Sequence, residues 1–303
     1  MRMQSLRTAP QASETVTPSV VFDAAAAEPL AEKHKAEILA FLRERPLHTV
    51  YMTGCILDNG VVSPLNRGSF YGYRGRDGRL EGVALIGHAT LFETRSDASL
   101  AAFAALAQKC TRTHLLLGEM EKVENFWSHY AGGGQEPRLV CRELLFEQKY
   151  PVEVNEPVRG LRKATLADLE LVMPIHARMA FEESGVNPME KDPIGFRLRC
   201  ARRIEQGRVW VLVEDGRLIF KADVVSETSE VTYLEGIYVA AEDRGQGVGL
   251  RCLSQLTRKL LARTKTVSLL VNELNQAASN FYPKAGFMLR AHYDTIFLQQ
   301  ASA

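Results

Sequence analysis

The stretch of the chain best suited to bind a ligand contains three glycines at alternate positions. Gly245, Gly247 and Gly249 lie within Arg244-Gly245-Gln246-Gly247-Val248-Gly249. Glycine adopts positive φ angles at little cost and lets a ligand approach the backbone, so successive N–H groups can converge on one anion. A helix that begins at this point adds the positive end of its dipole. The stretch therefore predicts a phosphate-binding loop.

The segments on either side must position this loop. Upstream, residues 231–239 are rich in β-branched and aromatic side chains, which predicts a strand. Downstream, residues 249–263 have apolar side chains at intervals of three and four, which predicts an amphipathic helix. These side chains are Leu250, Leu253, Leu256 and Leu260.

Two well-known glycine motifs do not match. A Walker A loop has Lys-Ser or Lys-Thr after its last glycine, where this chain has Leu250-Arg251. The dinucleotide fingerprint spaces its glycines as GxGxxG, whereas the spacing here is GxGxG. Binding of a nucleotide such as ATP or NAD is an alternative interpretation, and the missing Lys-Ser or Lys-Thr argues against it.

The loop resembles instead the R/Q-x-x-G-x-G/A motif, which binds the pyrophosphate of acyl-CoA in the GNAT N-acetyltransferase superfamily. A second segment, after a predicted strand at 267–271, resembles the superfamily's N-x-x-A-x-x-F-Y-x-x-x-G-F pattern. Its matching residues are Asn275, Ala278, Phe281, Tyr282, Gly286 and Phe287. The resemblance covers about residues 158 to 300.

Other predicted elements of this region follow the order known in the family. Thr165 and Asp168 resemble a capping box and predict a helix through Phe181. The further elements are a helix over 193–206 and two strands over 208–214 and 217–225, joined by the hairpin signal Asp215-Gly216.

The resemblance implies an α+β (mixed α/β) fold with two tandem GNAT-like domains, each a twisted, mostly antiparallel sheet flanked by helices. We expect a mobile tail at 1–25 and a degenerate domain without a CoA loop at 26–152. The acetyltransferase domain is expected at 158–303.

The N-terminal half repeats short features of the C-terminal half. Asp77-Gly78-Arg79-Leu80 recurs as Asp215-Gly216-Arg217-Leu218, and Asn125-Phe126-Trp127 is similar to Asn280-Phe281-Tyr282. Short repeats also arise by chance, because hairpins often use Asp-Gly. No glycine lies between Gly87 and Gly118, and an indole cannot donate a proton as the phenol of Tyr282 can. We therefore predict a catalytically silent first half, similar to the degenerate domain of bacterial tandem GNAT proteins.

Transfer of an acyl group to an amine requires proton transfers. A primary amine is protonated at neutral pH, so a base must deprotonate it before it attacks a thioester. The resemblance implies Glu235 as this base and Tyr282 as the acid that protonates the leaving thiolate. Glu235 is equally consistent with a paired structural charge at a sheet edge. Pro283 departs from the family pattern and is expected to disturb the helix at Ser279.

The resemblance also implies contacts with acetyl-CoA, the expected co-substrate. The backbone of Ile237, Tyr238 and Val239 is expected to pair with pantetheine like an added strand. Asn275 and Asn280 are further suggested contacts, although an Asn near a helix start is as easily a cap. The pyrophosphate is expected at the loop residues Arg244, Gly245, Gln246, Gly247, Val248 and Gly249.

Two acidic residues are candidates for binding the acceptor. Glu182 and Glu183 end a predicted helix that lines the acceptor channel in similar proteins, and carboxylates there could hold a cationic amine. The alternative is a solvated charge pair. We interpret His176 as a core residue, and Cys252 has no base beside it that would support a covalent acyl-enzyme.

Composition limits the partners and the compartment. The net charge of +1 gives no indication of nucleic acid or a membrane as a partner. The 5 cysteines are odd in number and widely spaced, which favours neither disulfides nor a metal site and is typical of a cytoplasmic protein. No apolar run approaches the ~20 residues of a membrane helix. Formation of a homodimer is left open.

The sequence therefore predicts an acetyl-CoA-dependent N-acetyltransferase. A primary amine of a small molecule or protein would attack directly in a ternary complex. The alternative is a non-catalytic acyl-CoA-binding regulatory protein, which would bind CoA but transfer nothing to any amine.

Overall fold

The computed structural model describes residues 27–153 and 156–299, and the tail predicted at 1–25 lies outside them. The described chain divides into two compact units. The first unit contains residues 27–144, 272–274 and 291–299. The second unit contains residues 145–153, 156–271 and 275–290.

The first half of the chain supplies six strands and four helices to the described structure. The strands are β1 (Ala27–Pro29), β2 (Gly68–Arg74), β3 (Leu80–Gly87), β4 (Ala89–Thr94), β5 (Leu115–Glu119) and β6 (Pro137–Gln148). The helices are α1 (Lys35–Arg43), α2 (Pro46–Asn59), α3 (Asp97–Gln108) and α4 (Met120–Tyr130).

The second half supplies six strands and five helices to the described structure. The strands are β7 (Arg162–Lys163), β8 (Val209–Glu214), β9 (Arg217–Glu227), β10 (Val231–Val239), β11 (Thr266–Asn272) and β12 (Met288–Leu298). The helices are α5 (Leu169–Ser184), α6 (Pro188–Lys191), α7 (Pro193–Glu205), α8 (Val248–Leu261) and α9 (Gln276–Phe281).

The first unit is a mostly antiparallel sheet with helices on both faces. Its strand order is β1-β2-β3-β4-β5-β12, and β4 and β5 are its parallel pair. Alternate residues of a strand point to opposite faces. Val83 and Leu85 accordingly pack with residues of α1 and α2, whereas Ala84 and Ile86 pack with residues of α3 and α4.

The second unit has the same succession of elements. Its strand order is β6-β11-β10-β9-β8-β7, with β10 and β11 as its parallel pair. In each unit two antiparallel hairpin steps lead into a helix, and a parallel strand follows. The predicted fold class, a mixed α and β fold with a tandem arrangement, is confirmed.

Local predictions in the second unit agree with the structure. Asp215 and Gly216 have φ angles of 50° and 73°, as a tight hairpin requires. The backbone N–H of Thr165 donates to Asp168 at 2.7 Å, which forms the predicted capping box before α5. On α8, Leu250 is only half-buried, and Cys252 joins Leu253 in the buried face instead.

Residues 291–299 lie in the first compact unit, whereas the sequence analysis places them in the domain expected at 158–303. Residues Tyr293 to Phe297 of β12 pair with β5 in the antiparallel direction. The Tyr293 hydroxyl also lies 2.8 Å from Nδ1 of His48 on α2. Apolar patterning predicts a strand here but carries no information about its distant partner.

No helix in the described part of the chain is both long enough and apolar enough to cross a membrane.

Charged side chains join the ends of β4 and β5. Arg45 donates to both carboxylate oxygens of Glu119 at 2.7 Å and to Glu93 at 3.1 Å. Lys122 Nζ lies 2.8 Å from Glu93 and 3.2 Å from Glu119. Burial raises the pKa of Glu119, but the Arg45 hydrogen bonds and the surrounding positive charges outweigh it and lower the pKa to about 2. These four side chains are called the ionic network below.

Replacing Glu119 with Gln tests the stabilising role of this network. Because the folded-state pKa of Glu119 lies below its ordinary 4.5, its contribution is complete above pH 4.5 and is lost as pH falls toward 2. We expect Glu119→Gln to lower the unfolding free energy at pH 7 by about 2 kcal/mol and to flatten its pH dependence in that range.

Tryptophan fluorescence can follow this unit alone. The chain has 2 tryptophans, and Trp127 lies in the first unit, so urea titrations in a Trp210→Phe background report on it. Glu121→Gln, at an exposed position of α4, is the matched control and should change little. Equal losses in the two variants would contradict the role of the network.

Candidate active site

β10 and β11 lie side by side for only part of their length. Their parallel ladder pairs Val231 through Leu234 with Thr266 through Leu269, although β10 continues to Val239. Among the residues described, no strand pairs with 235–239 on the β11 side. An unpaired backbone edge can form hydrogen bonds with an extended ligand, which then lies like an added strand.

A bulge in β10 accompanies this divergence. On the β9 side Glu235 lies opposite Asp223 and Tyr238 opposite Lys221, so β10 has one extra residue between the two pairs. Gly236 in the bulge has a φ of +58°, and a Cβ there would lie 2.5 Å from Asp223 Oδ2. Only glycine fits this position. Because bulges bend a strand, Glu235 stands where β10 turns away from β11.

The predicted phosphate-binding loop comes shortly after β10. Gly245 and Gly247 have φ angles of +76° and +78°, the left-handed conformation that favours glycine. A Cβ would meet nothing within 4 Å at Gly245. In the described structure no group accepts a hydrogen bond from the backbone N–H groups of 245–249. These consecutive donors at the start of α8 are suited to an anion.

Arginine side chains hold the loop and add positive charge. Arg244 Nε donates to the carbonyl oxygen of Val239 at 3.1 Å, which ties the loop to the end of β10. Arg217 donates to Asp243 at 2.7 Å and fixes the turn before the loop. The Arg251 guanidinium lies beside Gly247, where it can attract a phosphate.

The start of α8 is fixed by close packing. A Cβ at Gly249 would lie 2.7 Å from Cγ2 of Val239, so this glycine lets the helix approach β10. Cys252, one turn into α8, is fully buried, and burial raises the pKa of its thiol to about 12. A thiol that stays protonated at neutral pH is a poor nucleophile, which agrees with the sequence interpretation.

Glu235 lines a concave surface. Solvent reaches its side chain, yet protein surrounds it on most sides. This partial burial raises the pKa of Glu235 above the ordinary glutamate value, and the charge of Arg203 offsets the effect only in part. A carboxylate with a raised pKa in a concave site is suited to accept a proton near neutral pH.

A buried charged cluster lies beneath the bulge. Lys221 is 0% and Asp223 2% exposed, and Lys221 Nζ lies 2.5 Å from Asp223 Oδ2. His176 Nε2 on α5 is 2.7 Å from the same oxygen, and Arg203 on α7 is 3.8 Å away. Burial and the charge of Lys221 lower the pKa of His176, so its imidazole is neutral at pH 7. The cluster thus links α5 and α7 to the strand opposite Glu235.

Sequence reasoning gave no role to Lys221 and Asp223. The available signal was two charged residues at alternate positions of an otherwise apolar strand, since alternate residues share a face. His176 was interpreted as a core residue, and its side chain is 10% exposed.

The structure distinguishes the two predicted acceptor carboxylates. Glu182 has a 67% exposed side chain that lies 3.9 Å from Arg178 Nε, as expected for a solvated charge pair. Glu183 is also exposed to solvent, but it follows His176 by seven residues on α5 and therefore lies on the same, sheet-facing side. Burial and the charge of Glu235 raise the pKa of Glu183 to about 7.

Tyr282 is the residue that directly follows α9. It is 7% exposed, and burial raises the pKa of its phenol above the ordinary value. No hydrogen bond joins its hydroxyl to any other residue in the described part of the chain. The rings around it are Phe146, Phe281 and Phe287.

Helix α9 is defined by its two ends. Asn275 is its N-cap, and its side-chain oxygen accepts from the N–H of Ala278 at 3.1 Å, so the capping alternative holds for this oxygen. Asn280 is exposed on the same helix. Pro283 lacks the N–H that the carbonyl of Ser279 needs in a helix, and α9 ends before it at Phe281.

The equivalent place in the first unit is built differently. The ladder between β4 and β5 ends at the pair Leu91 and Leu117. Beyond this pair, the ionic network joins the ends of the two strands. The ladder between β3 and β4 has no bulge. Only residues 95 and 96 connect β4 to α3, where Ser96 Oγ accepts from the N–H of Ser99 at 3.4 Å. This unit therefore has neither the open strand edge nor the glycine loop.

A family model and several solved structures match this chain. Residues 205–289, which contain the bulge, the loop and α9, match the model described as Acetyltransferase (GNAT) domain. This region is similar to a GNAT acetyltransferase domain. No curated protein matches the chain in sequence.

Three of the similar structures cover both units. A Drosophila protein aligns over 91% of this chain and 99% of its own, with 12% identity and a TM-score of 0.62. A tandem GNAT protein from the clavulanic acid biosynthesis pathway aligns over 91% and 99%, with 14% identity and a TM-score of 0.57. A GNAT-family acetyltransferase from Colwellia psychrerythraea aligns over 90% and 99%, with 13% identity and a TM-score of 0.53. At such identities the likeness shows the shared fold alone.

The buried cluster makes a testable contribution to stability. Replacing Lys221 with Met leaves Asp223 with less compensation in the interior, which we expect to lower the unfolding free energy by about 3 kcal/mol. Urea titration followed by Trp210 fluorescence in a Trp127→Phe background measures the second unit.

The double variant Lys221→Met/Asp223→Leu is the control. Because it removes both charges, we expect it to be more stable than the single variant. A double variant as unstable as Lys221→Met, or a single variant as stable as the parent protein, would contradict the charge pairing.

Proposed function

We propose that this chain, with a GNAT domain at 205–289 and the fold of tandem GNAT proteins, is an acetyl-CoA-dependent N-acetyltransferase. One observation carries the proposal: the unpaired edge of β10 at 235–239 leads directly to a loop with free N–H groups at 245–249. An acyl-CoA has an extended, amide-containing arm next to a pyrophosphate, and it matches this arrangement from end to end.

The loop and the strand edge would hold different parts of acetyl-CoA. The pyrophosphate would accept hydrogen bonds from the loop residues 244–249, with Arg251 beside them. The pantetheine amides would pair with the backbone of Ile237, Tyr238 and Val239. Asn275 and Asn280, at the exposed side of α9, are the remaining proposed contacts.

The reaction would use two proton-transfer groups. Glu235 would accept a proton from the ammonium group of the acceptor, and the neutral amine would attack the thioester carbonyl. A backbone N–H of the bulge would stabilise the negative charge that develops on the carbonyl oxygen. The C–S bond would then break, and Tyr282 would give its proton to the thiolate. The nitrogen would lose its second proton as the amide forms, and this proton would return through solvent to the phenolate of Tyr282. Glu183, on the sheet-facing side of α5, would face the acceptor.

We propose that residues 26–152 form a silent GNAT-like domain. Its β4 and β5 are joined by the ionic network, and Ser96 caps α3 where a phosphate would otherwise bind. The chain would then bind one acetyl-CoA, in the second unit.

A non-catalytic acyl-CoA-binding protein is the second candidate. The burial of Tyr282 among three aromatic rings favours it, because a phenol with a raised pKa is a weak acid. Such a protein would bind acetyl-CoA and transfer nothing to an amine.

Calorimetric titration with acetyl-CoA tests the binding site first. We expect one acetyl-CoA per chain and no comparable affinity for ATP or NAD. A valine at Gly247 would strain the left-handed backbone and block the anion, because φ is +78° there. We expect Gly247→Val to weaken acetyl-CoA binding at least about tenfold.

Gly216→Val is the matched control, since Gly216 has a φ of +73° and open space beside it in a hairpin turn. It introduces similar backbone strain, yet we expect its affinity for acetyl-CoA to stay at the parental value. Unchanged binding in Gly247→Val would refute the loop assignment, and two acetyl-CoA per chain would refute the silent first half.

The proton-transfer roles predict a specific kinetic pattern. Because a raised pKa keeps Glu235 protonated to a higher pH than usual, kcat/KM should fall as pH drops through that pKa. Glu235→Gln should remove this acidic limb and lower kcat at least about 100-fold. Tyr282→Phe should lower kcat while the Kd for acetyl-CoA stays the same. A fully active Tyr282→Phe variant would remove Tyr282 as the acid.

A further inference from the structure

Glu183 and Glu235 share one surface of the second unit. His176, two turns before Glu183 on the same face of α5, lies 2.7 Å from Asp223. Asp223 lies opposite Glu235 in the β9–β10 ladder, so their side chains leave the same face of the sheet. The last turn of α5 therefore carries Glu183 over the face on which Glu235 lies. Their mutual repulsion contributes to the raised pKa of Glu183.

The cations around this surface are already engaged. Lys221 and Arg203 pair with Asp223, and Arg178 lies near Glu182 and over the ring of Tyr238. In the described ranges the positive charge of Arg203 acts on Glu235, whereas the neighbouring charge that acts on Glu183 is the negative one of Glu235. Glu183 is therefore the carboxylate of this surface that lacks a counterion among the described residues.

A buried oxygen nearby also lacks a partner. Asp223 is 2% exposed, and its Oδ1 accepts no hydrogen bond from the described residues. When Glu183 and Glu235 are ionised, they and Asp223 give three negative charges, and Lys221 and Arg203 give two positive charges. The surface thus has an excess of negative charge and an oxygen, Asp223 Oδ1, that lacks a hydrogen-bond donor. Both features suit a positively charged ligand.

The chemistry of transfer indicates how many positive charges the ligand has. The reacting amine loses its proton to Glu235 before it attacks, so it no longer offsets a second carboxylate. A counterion for Glu183 must come from another group that stays charged throughout the reaction. A primary amine with a second ammonium group a few bonds away meets this requirement.

We propose that the acceptor is a dicationic amine, with one amino group reacting at Glu235 and the other held as an ammonium ion by Glu183. This inference rests on the proposed acetyltransferase function and names its substrate class. Glu183 acts here as a specificity-determining residue, and a monoamine of the same length lacks the group it binds.

A matched pair of amines tests this inference. The probes are pentylamine and a pentane diamine with an amino group at each end of the same carbon chain. Their affinities are measured by calorimetry on the full chain saturated with CoA. We expect the diamine to bind at least about tenfold more tightly than pentylamine. Initial rates of acetyl transfer from acetyl-CoA are measured separately and should show the same preference, mainly through KM.

Three variants with substitutions in α5 test which residue causes the preference for the diamine over pentylamine. Glu183→Gln should lose most of the preference for the diamine, because a neutral amide no longer attracts the second ammonium group. Glu170→Gln changes an exposed carboxylate on the first turn of the same helix and should keep the full preference. A preference lost in Glu182→Gln but kept in Glu183→Gln would overturn the assignment to Glu183.

The two readouts separate the two hypotheses. Equal binding of diamine and monoamine by the parent protein would overturn the inference, whatever the transfer rates are. Selective diamine binding that depends on Glu183, without acetyl transfer to any amine, would support the dicationic ligand and refute the proposed catalysis.

Discussion

The divergence of β10 from β11 after Leu234 is the constraint on which the second unit depends. A strand can leave its neighbour inside a sheet only if its geometry changes there, and the bulge at Gly236 supplies that change. The bulge needs a residue without a Cβ because Lys221 and Asp223 lie directly beneath it. The buried cluster, the position of Glu235 and the open backbone edge are therefore one connected arrangement. The glycine loop, with its free backbone N–H groups, follows at the end of that edge.

The first unit meets the same constraint with paired charged side chains. β4 and β5 also stop pairing after three residues, and polar backbone groups at such a point need partners. Here Arg45 and Lys122 neutralise Glu93 and Glu119 between the strand ends. Each of these charges has an opposite charge within hydrogen-bonding distance. The two units thus have similar topologies. The strand edge beyond the parallel ladder is unpaired in the second unit, and charged side chains join the strand ends in the first unit.

Local patterns in the sequence predicted most elements of the second unit. The glycine loop, the hairpin at Asp215-Gly216 and the capping box at Thr165 are each specified by a few neighbouring residues, and all three are present. The orientation of a side chain is harder to predict, because it depends on packing between distant segments. Glu182 and Glu183 look equivalent in sequence and both are exposed, yet only Glu183 lies on the sheet-facing side of α5.

Long-range pairing could not be predicted from the sequence. The apolar pattern of residues 288–298 indicates a strand, but not that most of it completes the first unit beside β5. The role of Lys221 was missed because a single sequence gives no measure of burial for a lysine. Its alternation with Asp223 on an apolar strand was the only local sign.

The assignment of β12 has a consequence for how the chain is made. Residues 291–298 leave the ribosome after the entire second half, so the sheet of the first unit lacks its β12 strand until then. During that interval the apolar edge of β5, Leu115 to Leu117, has no partner and is open to wrong pairings. The second unit in turn contains the end of β6, whose Gln148 carbonyl accepts from Thr266 at 3.0 Å. The first half of the sequence therefore cannot simply be deleted, because the two halves of the sequence are not the two compact units.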